Sequence, residues 1–190
     1  MRAGSDGRVA RLLTVAVVAL VMGACSSGGD VEAVVLNDLP LAERAQDYSS
    51  VEQLAVDAEV VVVARATGPD DYVRDDWGAF VIDMEVIEVL GGDVRAGERL
   101  AVASDISVAE QASQPSSRKP LLSLPHEFLL FLQPVESDLG SRAEFVPVGW
   151  VSGYFQATGG AGYLRLDPDS RGIPERVTHA EIEAALEAAR

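Results

Sequence analysis

The chain has 190 residues, with 15 lysines and arginines against 30 aspartates and glutamates, for a formal net charge of −15. Such a surface repels a phosphate backbone, and no basic stripe with interleaved aromatics is present, so nucleic-acid binding is excluded. Cys25 is the only cysteine, which rules out an intrachain disulfide and leaves the fold to hold by packing.

Arg2, Arg8 and Arg11 form a positive head, and residues 12–22 are an uninterrupted apolar or small run. That run falls short of the roughly 20 apolar residues that span a bilayer. It leads into Met22, Gly23, Ala24 and Cys25, with two small residues just before the thiol and methionine where leucine is usual. The segment resembles a bacterial lipoprotein signal peptide with its lipobox. The resemblance implies cleavage before Cys25, a diacylglyceryl group on its thiol, and anchoring at the extracytoplasmic face of the cell membrane. Two acyl chains hold stably where one is marginal. An ordinary secretory peptide with an incidental free thiol is the alternative.

On this reading residues 1–24 are the signal peptide, 25–48 the lipidated cysteine and its tether, and 49–190 a single β-rich domain. The tether begins Ser26-Ser27-Gly28-Gly29, a flexible composition. The domain's length of about 140 residues is enough for a real core. Loss of three basic residues and one acidic residue with the signal peptide leaves 12 against 29 and a mature charge of −17.

Val34, Val35 and Leu36 suggest a short edge strand. Ser49 or Ser50 then caps a helix whose Val51, Leu54, Ala55 and Ala58 make one apolar stripe. Val60 to Val63 are all β-branched and predict a central strand buried on both faces. Residues 70–76 are polar and turn-like. A long strand begins near Gly78, with Phe80, Ile82, Met84 and Val86 on one face and Asp83 and Glu85 on the wet one. The parity changes at Ile87, which predicts a β-bulge there.

Residues 98–103 form the next strand, and 104–125 read as a long, weakly patterned loop interrupted by a short helix around 108–112. Strands follow at 128–132, 145–148, 151–157 and 161–166, the last two joined as a hairpin at Gly159-Gly160. Thr178 and Glu181 have capping-box spacing ahead of a closing helix with Ile182, Ala185, Leu186 and Ala189 on its apolar face. The fold class is therefore mainly β: a small OB-like barrel or rolled antiparallel sheet with a short N-terminal helix and a C-terminal helix.

Three of these segments, 58–65, 80–92 and 120–132, are together similar to bacterial extracytoplasmic domains that resemble the OB-fold barrel of netrin-like domains and tissue inhibitors of metalloproteinases. The resemblance covers roughly residues 50–135 and implies the barrel. The chain lacks the cysteines of those inhibitors, and a lipidated Cys25 is not free to ligate a protease's zinc, so protease inhibition does not carry over.

Candidate sites are few. Asp167, Asp169 and Gly172 have the spacing of a calcium loop, but Arg171 stands where an oxygen is wanted and Thr178 where a bidentate glutamate belongs, which favours a plain turn. The acidic run of Asp70, Asp71, Asp75 and Asp76 offers a second, weak calcium candidate. His126 and His179 have no partner at recognisable metal spacing, and two histidines cannot make a three-histidine zinc site. Ser152 lacks the sequence context of a nucleophile and reads as a strand residue. Trp77, Tyr72, Trp150, Tyr154, Phe155 and Tyr163 are candidate binding aromatics or core packing.

No catalytic residue, cofactor or metal is assigned; the lipid attachment at Cys25 is the one site. The expectation is a non-enzymatic, membrane-anchored binding or structural module with an envelope protein partner and contact surfaces at 104–125 and 149–162. The alternative is a secreted hydrolase using paired carboxylates or His126.

Overall fold

Ser50 accepts the Gln53 amide and starts the first helix, α1 (Val51–Asp57), whose Val51, Leu54 and Ala55 are buried. Strands follow in the order β1 (Val60–Ala66), β2 (Tyr72–Arg74), β3 (Phe80–Gly91), β4 (Arg99–Ser104), β5 (Ser107–Gln111) and β6 (Gln114–Pro120). After a 3-10 turn (Leu121–Ser123) come β7 (Phe128–Pro134), β8 (Phe145–Pro147), β9 (Tyr154–Ala157), β10 (Gly162–Arg165), β11 (Arg176–Thr178) and the closing helix α2 (His179–Ala188). The structure, a computed structural model, describes residues 48–74, 79–104, 106–111, 114–135, 142–160, 162–167 and 170–190. The edge strand expected at Val34 to Leu36 lies outside them.

β1 is the hub, pairing antiparallel with β3 on one edge and with β7 on the other. β3 pairs with β4, β4 runs parallel beside β8 through Val102 and Phe145, and β8 returns antiparallel to β7. The circuit β1-β3-β4-β8-β7 closes into a five-stranded, OB-like barrel, as the sequence predicts. β9, β10 and β11 extend the sheet outward from β7.

The all-valine run works because β1 divides two apolar layers. Val60, Val62 and Ala64 point into the barrel with Ile82, Met84, Leu100, Val102, Phe128 and Leu130. Val61 and Val63 point out, into a layer built by Leu54 of α1, Ile182 and Ala185 of α2, and Phe131, Phe155 and Tyr163. Alternation by two sends every second valine to the other core.

The predicted bulge is present. Val63 pairs with Glu88 and Ala64 with Val86, so Ile87 is an extra residue on β3, and a second slip passes over Leu90. The first slip turns Ile87 and Glu88 to solvent and lets Val89 rejoin the barrel lining, while Leu90 joins the helical layer. Gly92 ends the strand at φ +94°, where a Cβ would lie 2.5 Å from the Glu59 carbonyl oxygen, so a side chain is excluded on two counts.

Three expectations are corrected. Residues 104–125 are not a loop with a helix at 108–112: β5 and β6 pair antiparallel as a separate two-stranded sheet, Ser107 opposite Pro120 and Ala109 opposite Arg118. The hairpin is rooted by Ile106, Leu121 and Leu122, all buried in the barrel cluster, with the Leu121 amide donating to the Ile106 carbonyl. Within the 70–76 run, Tyr72–Arg74 is a strand on β3. Residues 151–153 belong to a turn, and the strand begins only at Tyr154.

The capping box is formed, with Thr178 Oγ1 accepting the Glu181 amide and the Glu181 carboxylate accepting the Thr178 amide. That carboxyl is held below its usual range by the Thr178 backbone and side-chain hydrogen bonds.

At the other helix, Tyr48 donates its hydroxyl to Asp57 at 2.8 Å. Burial, the Asp57 hydrogen bond and the Asp57 charge push its pKa above the ordinary tyrosine value. Burial and the charges of Glu88 and Glu127 do the same to Tyr163. A folded pKa above the unfolded one means stability complete below about pH 10 and lost as pH rises through the folded value. Unfolding free energy is expected to fall above about pH 10, and Tyr48→Phe to flatten that fall. Denaturant unfolding from pH 8 to 11.5 tests this, and equal slopes in both proteins would refute it.

Candidate functional site

The β1–β3 connection is folded back on the barrel by a short polar network. The Thr67 amide and hydroxyl both donate to the Asp83 carbonyl, at 2.9 and 3.2 Å, and the hydroxyl lies 2.9 Å from Asp71 Oδ2. The Asp83 amide donates in turn to the Asp71 carbonyl. β2 continues this attachment, Tyr72 opposite Ile82 and Arg74 opposite Phe80. Tyr72 meets the Phe80 ring edge-on at 5.6 Å, and the Arg74 guanidinium stands 4.9 Å over the same ring.

The opposite wall is pinned by Glu144. Its amide donates to the Ala101 carbonyl at 2.8 Å, and its carboxylate accepts the Ala101 amide at 3.1 Å, so both backbone groups of Ala101 on β4 are satisfied by one residue. Ala143 packs with Val81 and Ala103 in a small cluster of its own on the outer face of β3 and β4.

Between these walls lies an open cleft of about 250 Å³. Val81 and Ala101 form its floor, Asp70, Asp71, Tyr72 and Val73 one wall, and Arg142 the other, with Asp83 rising from β3. Three carboxylates thus face one guanidinium around an apolar base, an arrangement that suits a polar ligand with surplus positive charge. Asp70 is also paired with the chain's single lysine, Lys119, at 3.4 Å, which ties the 67–73 segment to the β5–β6 hairpin.

The sequence singled out Asp70, Asp71 and Tyr72, and they do meet here. Asp83 was visible only as a wet-face residue, and Arg142 carried no signal at all. Asp75, Asp76, Trp77, Asp169 and Cys25 lie outside the described residues.

The remaining candidates disperse. His126 is half-buried and edge-on to Phe128. His179 gains partners the sequence did not show: Glu183 one turn along α2, at 3.6 Å from Nε2, Glu88 of the bulge at 3.9 Å, and the Tyr163 hydroxyl at 3.4 Å from Nδ1. Among the described residues no three histidine, cysteine, aspartate or glutamate side chains converge as a metal-binding group.

Asp167 is wholly buried and faces inward, accepting the hydroxyls of Ser170 and Ser152, while Ser152 and Ser170 lie 3.0 Å apart. Its carboxylate is occupied by serines rather than offered to a cation, and Ser152 serves this buried turn. Arg165 closes the same turn by donating to the Ser170 and Ile173 carbonyls. Tyr154, Phe155 and Tyr163 are core residues, and Trp150 sits at φ 61° packed against the barrel cluster. Among its described residues, the 149–162 segment is buried from 151 to 156 and exposed at 159–160.

No helix among the described residues is long and apolar enough to cross a membrane. No family model, curated protein or solved structure matches the chain.

Proposed function

We propose that the chain is a lipid-anchored, extracytoplasmic binding module of the cell envelope, held at the membrane through Cys25 and working without catalysis. The observation that carries the binding role is the cleft on the outer face of β3 and β4. Its two walls are fixed by independent hydrogen-bond sets, so it is pre-formed rather than assembled on contact. The acidic surplus favours a cationic or mixed-charge partner. The contact surface assigned here is this cleft with the adjoining root of the β5–β6 hairpin, in place of the largely buried 149–162 segment.

A photo-crosslinker at Val73, which is exposed on the cleft wall, is expected to capture one dominant envelope component in cells. The same group at Val56, exposed on α1, captures none. Equal capture at both positions would dismiss the cleft as the contact surface. For the anchor, Cys25→Ser is expected to move the protein from the membrane fraction to the soluble one and to abolish labelling by a fatty-acid precursor. Retention in membranes with label intact overturns the lipid assignment.

A further inference from the structure

We infer that the cleft takes a small peptide-like zwitterion with surplus amine, such as a diamino acid or a short basic peptide, and this rests on the cleft being the binding surface. Arg142 shares a cleft of about 250 Å³ with Asp70, Asp71 and Asp83 and forms an ion pair with none of them. Two of the carboxylates already have partners, Thr67 of the same segment for Asp71 and Lys119 of the β5–β6 hairpin for Asp70. Asp83 pairs with no side chain among the described residues, and neither does Arg142. A free carboxylate on the floor strand and a free guanidinium on the wall therefore address the same space from two sides. Opposite charges held apart across one small cleft match a ligand whose ammonium and carboxylate ends are themselves separated, each end making a charge-assisted hydrogen bond.

The remaining features agree with that ligand. The apolar base of Val81 and Ala101, flanked by Val73, accommodates the aliphatic stem between two such ends. Asp70 and Asp71 stand on the wall with further acceptor capacity, which is why a second amine rather than a second acid fits. A cleft of about 250 Å³ admits a dipeptide.

Calorimetric titration of the intact chain in detergent micelles with lysyl-alanine tests the inference. Putrescine as an amine-only probe, acetyl-alanine as an acid-only probe and maltose as a neutral one serve as comparisons. One-to-one binding of lysyl-alanine is expected, with the single-ended probes weaker by about tenfold or more, and with Asp83→Asn and Arg142→Gln each weakening it by a similar factor. Both residues are exposed, so these variants keep the fold, and matching melting curves verify it. No binding of lysyl-alanine, or unchanged affinity in both variants, overturns the ligand class. Binding of maltose at the cleft overturns it as well while leaving the cleft as the binding surface. Failure of the Val73 crosslink, by contrast, removes that surface itself.

Discussion

Phe128→Ala is expected to destabilise the protein by about 3–5 kcal/mol. Phe128 is fully buried on the inward face of β7, where the backbone pairs with Ala64 of β1 on one side and Gln156 of β9 on the other. Removing the ring loses its transfer free energy and leaves a void. The void cannot collapse cheaply, because its walls are strands hydrogen-bonded around a closed circuit. Val56→Ala on α1, a residue 65% exposed, should shift stability by less than about 0.5 kcal/mol. Urea midpoints of the two variants decide the matter. A shift below about 1 kcal/mol for Phe128→Ala would mean the barrel interior is not packed as described.

Asp167→Ala is expected to cost about 2–3 kcal/mol, although it removes a charged residue from a strongly acidic chain. Its carboxylate is the shared acceptor for Ser152 and Ser170, which are 1% and 5% exposed and cannot turn to water when it goes. The two hydroxyls can still bond to each other at 3.0 Å, which recovers part of the loss. Asp167→Asn keeps an acceptor oxygen and should cost clearly less. Measured by chemical denaturation with and without calcium, the loss is expected to be the same in both. A melting temperature that rises with calcium only when Asp167 is present would restore a cation to this turn.

Where the sequence was legible, a local pattern reported a global arrangement. Val60 to Val63 and Phe128 to Leu132 are apolar on both faces because each strand stands between the barrel interior and the helical layer. The parity change at Ile87 reported a bulge because period two tolerates no insertion without flipping the faces. The Thr178 and Glu181 spacing reported a cap because the capping box is made within four residues.

The failures have the opposite character. β2 and β11 are three residues each, too short to display a period, and are defined only by their pairing with β3 and β10. β6 opens Gln114-Pro115-Ser116-Ser117 and closes on Pro120, a composition read as loop, yet its backbone pairs with β5. The cleft was half visible. Asp70, Asp71 and Tyr72 are neighbours along the chain, but Asp83, Ala101 and Arg142 join them only when β3, β4 and β8 come together, and no spacing in the sequence encodes that meeting.

β1 lends alternate valines to two cores and hydrogen bonds to two neighbours. Withdrawing it opens the barrel seam and strips the floor from beneath both helices at once. Neither layer is therefore expected to melt ahead of the other, and the slowest-exchanging amides are expected in this strand. A fold with no intrachain disulfide to brace it gains its resistance to partial opening, and to the proteolysis that follows, from that shared wall.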